Sequence, residues 1–229
     1  LEYFKLLIKD YTYQNLLKVI LSRTARSCRL VFHFELTRQN KPIYEPYVCH
    51  KHLNKVCTPL TTIILHLKKY CKDTLRRIKE FKKLRTNAKF EIIKADSKTV
   101  RLPRKYDGIF TSPPYVGLIN YHEQHRYAYE LFGLAWDEDK EIGLQKNGTS
   151  KRAKEQYKKD ISDVFRNLSN YLKEDAICFI VANDKYDLFP QITDLSGFEI
   201  IAEDHRPVTQ KASREREVYN ETIFHFKKK

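Results

Sequence analysis

Apolar residues recur at helical spacing through the first part of the chain, where Leu6, Leu7, Tyr11, Leu17, Ile20 and Leu21 form one stripe and predict a helix over residues 1–28. Leu-Val-Phe-His-Phe-Glu-Leu at 30–36 reads as a strand, and Pro42 and Pro46 among polar neighbours predict a loop over 37–59. Residues 60–84 predict one long helix with Leu65, Leu67, Leu75, Ile78, Phe81 and Leu84 at its apolar positions and lysines and arginines between them.

The texture changes near residue 89. Phe90-Glu91-Ile92-Ile93 reads as a strand ending at Asp96, and residues 106–110 read as a second strand that runs into Thr111-Ser112-Pro113-Pro114-Tyr115. Helices are expected over 119–133, 152–172 and 187–195, the last stopped by Gly197. The apolar run 176–182 predicts a central strand covered on both faces, and 198–201 and 221–226 predict two closing strands. Strands alternating with helices imply an α/β fold with a mostly parallel sheet. The expected organisation is therefore a largely helical basic region over 1–88, followed by an α/β region over 89–229 that carries the proline-rich turn.

Charge sharpens this picture. The 229 residues carry 43 Lys and Arg against 29 Asp and Glu, a formal net charge of +14, which favours a polyanionic partner. The segment 68–89 has ten basic residues against Asp73 and Glu80, so that helix can lie along phosphates. Arg23, Arg26 and Arg29 form a second row at i, i+3 spacing. Lys151 and Arg152, beside Lys146 and Lys154, flank a Gly-Thr-Ser loop that could sense a displaced strand, and the basic loop 206–216 could serve target recognition. Five cysteines, an odd number, fit a reducing compartment, and no apolar run approaches a membrane span. The expected location is cytoplasmic.

The strongest chemical signal is Ser112-Pro113-Pro114-Tyr115. Two prolines directly after a strand end its ladder, because neither has an N–H to donate, and they stiffen the turn beyond it. Ligands of open α/β sheets gather at the carboxyl ends of strands. A rigid turn there can fix the Ser112 hydroxyl and the Pro113 carbonyl as two acceptors for the hydrogens of an exocyclic amine. Such bonds draw the amine nitrogen out of conjugation towards tetrahedral geometry. Pro114 stiffens the turn, and Tyr115 is placed to stack on a flipped base.

The tetrapeptide resembles the amino-methyltransferase motif of DNA modification enzymes that act on cytosine N4 or adenine N6. The run FTSPPYVGLINYHEQHRYAYELFGL at 110–134 is similar to a subset of these bacterial and archaeal restriction-modification enzymes. Similar stretches at 20–30, 46–57, 73–85, 148–157, 181–186 and 216–226 extend the resemblance over nearly the whole chain. It implies a Rossmann-like methyltransferase fold, S-adenosylmethionine as methyl donor, double-stranded DNA as substrate and a prokaryotic, nucleoid-associated setting. Serine at the first motif position favours cytosine N4; adenine N6, or a non-catalytic DNA-binding subunit, is the alternative.

The resemblance is incomplete in one respect. Its donor loop is glycine-rich, whereas this chain has no glycine in residues 1–107 and no Gly-x-Gly anywhere. The chain also begins at Leu1 and contains no Met. The expectation is an incomplete fold whose loop comes from a second polypeptide or a preceding segment. A sheet edge left open by its absence makes a companion physically reasonable. Asp96 and Phe110 are the expected remaining donor contacts, by an adenine-amine hydrogen bond and by lining its pocket; Asp96 could instead cap the next turn. Arg126 and Tyr129 are expected to reach phosphates or the flipped strand. His122, Glu123 and His125 lack a metal signature and read as residues that shape the substrate pocket or pack locally. Cys49, His50, His52 and Cys57 fall within nine residues and could clamp the loop as Zn ligands, but the spacing is not the paired Cys-x-x-Cys pattern, and the favoured reading is a plain loop with buried thiols and no metal.

Overall fold

The computed structural model describes residues 1–28, 32, 42–59, 62–208 and 219–229. In chain order its elements are α1 (Glu2–Leu7), α2 (Gln14–Ser27), β1 (Tyr47–Cys49), β2 (Lys55–Cys57), α3 (Ile63–Leu84), β3 (Tyr106–Thr111), α4 (Tyr121–Gln124), α5 (Arg126–Phe132), α6 (Lys151–Ser169), β4 (Leu172–Ala182), α7 (Phe189–Ser196), β5 (Phe198–Val208) and β6 (Tyr219–Lys228). They form two compact units, Leu1–Phe90 with Tyr121–Glu138, and Glu91–Asn120 with Asp139–Lys229.

In the first unit the helix expected over 1–28 is broken between α1 and α2, at Asp10-Tyr11-Thr12-Tyr13, residues of weak helix propensity. Ile20, Leu21 and Thr24 are the buried residues of α2. A network of side chains joins α2 to α3: Arg23 donates to Asp73 at 2.7 Å and lies 4.3 Å over the Tyr70 ring, while Ser27 and Tyr70 share a hydrogen bond of 2.5 Å. Arg76 and Arg77 also donate to Asp73, at 2.9 and 3.1 Å. These guanidinium groups hold the Asp73 carboxyl well below the ordinary carboxylate range. Of the apolar positions predicted on α3, Leu65, Leu75, Ile78, Phe81 and Leu84 are exposed. The predicted loop 37–59 contains the hairpin β1–β2, and the predicted strand 30–36 lies outside the described residues apart from Phe32.

The second unit is built on a sheet of order β3-β4-β6-β5. β3 and β4 run parallel, but β6 is antiparallel to both β4 and β5. The sheet is therefore mixed, a correction to the mostly parallel expectation. Its cause is that β5 returns directly into β6 with no helix between them among the described residues, so the pair closes as an antiparallel ribbon.

α6 buries Tyr157, Ile161 and Phe165 at i, i+4, i+8 spacing, the stripe that seats it on the sheet. Ser150 caps it by accepting the Ala153 N–H at 3.2 Å. With α7 it covers Cys178, Ile180, Phe198, Phe224 and Phe226. At roughly 1.5–3 kcal/mol for each fully buried large apolar side chain, this layer is the main stabilising term of the unit.

Among the described residues of this unit, no helix packs on the opposite face of the sheet. β4 alternates buried and exposed residues, with Ile177 41% and Phe179 36% exposed, so the expectation of a strand shielded on both faces does not hold. Phe110 of β3 pairs with Phe179 on this second face and is 81% exposed. The strand expected at 90–93 is also absent: Phe90, Ile92 and Ile93 are exposed and pair with no strand among the described residues.

Candidate active site

β3 places Ser112 just beyond its carboxyl end, at the edge of the sheet. Ser112 is exposed, while Pro113, Pro114 and Tyr115 are half-buried. The turn is fixed from the protein side. Tyr157, buried on α6, donates its hydroxyl to the Pro114 carbonyl at 2.8 Å. Tyr115 packs against the core and donates to Glu221 Oε1 at 2.8 Å. Glu221 is itself buried and bonded through its other oxygen to Arg206.

Beyond the motif, Gly117 N–H donates to the Gly143 carbonyl at 2.9 Å. Gly117 has φ +67°, and a Cβ there would stand 2.4 Å from the Gly148 carbonyl oxygen, so the backbone of 143–148 can pass beneath the turn only because the side chain is absent. A polar cavity of about 330 Å³ lined by Val116, Gly143, Tyr157 and Asp160 lies along this passage; Ser112 is not among its lining residues.

The arrangement leaves a serine exposed at a strand end, on a turn whose Pro114 carbonyl and Tyr115 hydroxyl are held by buried partners. Chemically, the backbone of such a turn is fixed before any ligand arrives, so a ligand bound there would need little reorganisation of it. On the adjacent strand end, Asp184 accepts the Leu188 and Phe189 amides at 2.8 and 3.0 Å, capping α7. Burial pushes its carboxyl above the usual Asp range.

The other candidates are distributed. Asp96 does not end a strand; its Oδ1 accepts the Lys98 amide at 2.9 Å and its carbonyl accepts the Thr99 and Val100 amides, so it closes a turn. Phe110 lies on the uncovered face of the sheet. Lys151 and Arg152 are exposed in the first turn of α6, in the same unit as Ser112.

Arg23, Arg26, Arg126 and Tyr129 belong to the other unit. Arg23 is engaged in the α2–α3 seam, and Arg126 pairs with Glu130 at 2.7 Å. Arg26 is exposed; burial and then this nearby charge push the His125 imidazole below its ordinary value. Tyr129 packs with His122 and Trp136, with ring centroids 4.7 and 5.3 Å away. That cluster gives His122 and Tyr129 a packing role within the unit.

Sequence reasoning missed Tyr157, Glu221 and Asp184. Tyr157 lies on the α6 apolar stripe, where nothing distinguishes a core ring from one with a hydroxyl partner. Glu221 stands 106 residues from Tyr115 and only the β6 register brings the two together.

With this geometry in view, the chain is 44% identical over 234 aligned residues to the Type II methyltransferase M.MjaII of Methanocaldococcus jannaschii. The match takes in 96% of this chain and 44% of that protein, so the chain spans less than half the length of the relative it matches. No family model matches the chain, and no solved structure matches it. Among the described residues, no helix is long and apolar enough to cross a membrane.

Proposed function

We propose that this chain forms the target-base half of a DNA methyltransferase that moves a methyl group from S-adenosylmethionine to the exocyclic amine of a flipped base, with cytosine N4 favoured over adenine N6. The observation that carries the reading is the exposed Ser112 on a turn anchored by Tyr157 and Glu221. The match to a Type II methyltransferase supports it, and the mixed α/β unit is compatible with a Rossmann-like methyltransferase fold.

Ser112 Oγ and the Pro113 carbonyl accept the two amine hydrogens, which concentrates the lone pair on nitrogen. The Tyr115 ring, with its hydroxyl held by Glu221, stacks on the base in a fixed plane. Bound S-adenosylmethionine supplies an electrophilic methyl group. Transfer leaves a proton on the product amine that passes to water along the exposed side of Ser112. Positioning and fixed acceptors do the work, with no covalent enzyme intermediate.

The residues described here provide part of a donor site. Phe110 and the open face beside it are apolar surface for an adenine ring, but Asp96 is occupied in its own turn. We assign the glycine-rich loop to a segment or polypeptide outside these residues, which would also cover Phe110, Phe179 and Ile177. Arg26, Lys151, Arg152 and the basic face of α3 are the surfaces offered to DNA phosphates.

The test is methylation of double-stranded DNA by this chain together with the glycine-loop region, followed by mass spectrometry of the nucleosides. N4-methylcytosine is the expected product, and Ser112→Ala should lower the rate about 10²-fold or more. N6-methyladenine would correct the base assignment. Unchanged methylation by Ser112→Ala would refute the role of the serine.

A further inference from the structure

The hairpin β1–β2 belongs to the first unit and plays no part in the chemistry above. Its register pairs Tyr47 with Cys57 and Cys49 with Lys55, so Cys49 and Cys57 occupy one face, diagonally across the ribbon. Between the strands the chain makes a 3-10 turn at His50–His52 and then passes through Leu53 and Asn54, which have φ of 56° and 59°. His50 is taken up by the loop itself, with Nδ1 2.8 Å from Asn54 Oδ1. His52 instead turns back towards the sulfurs, with Nδ1 3.1 Å from Cys57 Sγ. The ligand atoms of Cys49, His52 and Cys57 all lie within 4.8 Å of one another.

This convergence is costly for the hairpin alone. Each strand has three residues, too few for a two-stranded ribbon to be stable in water. Two successive non-glycine residues in the left-handed region each add strain on the order of 1 kcal/mol. Hydrophobic burial does not offset it, because Val48, Leu53 and Val56 are exposed. Cys49, in contrast, is fully buried.

We propose that Cys49, His52 and Cys57 bind a zinc ion that clamps this hairpin. Two sulfurs and one imidazole nitrogen are a soft, tetrahedral donor set suited to Zn²⁺ rather than to Ca²⁺ or Mg²⁺. Bonds of about 2.3 Å to sulfur and about 2.0 Å to nitrogen require the donors to stand well under 5 Å apart. Binding releases the two thiol protons to solvent and leaves the sulfurs as thiolates, with water in the fourth position. Metal affinity then supplies the folding energy that the exposed ribbon lacks. The spacing Cys-x-x-His-x-x-x-x-Cys escapes recognition as a paired motif because its two halves share one short turn.

The experiment uses the whole 229-residue chain, purified under reducing conditions without chelator. Elemental analysis should find about one equivalent of zinc. Cobalt(II) replacement should give the intense visible bands of a tetrahedral site and a thiolate-to-cobalt charge-transfer band. Cys57→Ser should lose both, Cys57→His should keep the metal, and Cys71→Ser, outside the cluster, should behave as wild type. Less than about a tenth of an equivalent after zinc reconstitution, weak octahedral cobalt bands, or full retention by Cys57→Ser would each overturn the proposal. The wild-type cobalt spectrum decides the matter even if a cysteine variant fails to fold, and none of these readouts depends on methyl transfer.

Discussion

Replacing Tyr157 by Phe removes one oxygen and keeps the ring that packs the core. The hydroxyl donates to the Pro114 carbonyl at 2.8 Å, and the residue is 3% exposed. Deleting a donor and stranding its buried acceptor costs about 1–3 kcal/mol. Pro114 is only half-buried, so water can reach part of the carbonyl and the lower part of the range, about 1–2 kcal/mol, applies. Urea unfolding followed by circular dichroism should show a lower midpoint with unchanged slope, which isolates a loss of stability from a change in compactness. On the proposed methyl transfer, assayed together with the glycine-loop region, the same change should lower kcat more than it raises the KM for DNA, because a loosened turn would misplace the amine acceptors without removing a phosphate contact. A variant within about 0.3 kcal/mol of wild type, with unaltered kcat, would refute the claim that α6 fixes the motif turn.

Gly108→Ala should unfold the second unit or shift the β3 register, since a Cβ there would stand 2.1 Å from the Ile177 carbonyl oxygen; hydrogen exchange of the β3 amides would report it, and native protection would refute the close approach. The Asp73 carboxyl, depressed by its three arginines, contributes to the α2–α3 seam above the ordinary Asp range of about 3.9 and loses that contribution as pH falls below it. The stability difference between wild type and Asp73→Asn should therefore be level above about pH 5 and shrink steadily as pH falls below the ordinary Asp value, measured by denaturant midpoints; a difference undiminished at about pH 2 would contradict the assignment.

How much of this was legible in the chain follows from the range of the forces involved. The α6 stripe, the Gly197 stop of α7 and the proline-ended β3 are local: each is set by side-chain periodicity, left-handed backbone or a missing N–H within a few residues, and each formed where the pattern placed it. The motif itself needed only five consecutive residues to be noticed. Sequence likewise marked Cys49, His50, His52 and Cys57 as potential donors, without revealing that a 3-10 turn directs His50 to Asn54 and brings only His52 near the two sulfurs.

Tertiary structure decided the rest. An apolar run such as 176–182 looks the same whether one face or both are covered, and only the placement of α6 and α7 left Ile177 and Phe179 exposed. Phe90-Glu91-Ile92-Ile93 has the composition of a strand, yet a strand exists through hydrogen bonds to a neighbour, and none is paired there among the described residues. The same dependence on distant partners gave Glu221 to Tyr115 and Asp73 to Arg23: a carboxylate in a sequence has a charge, but its partner is chosen by which strands and helices come to lie side by side.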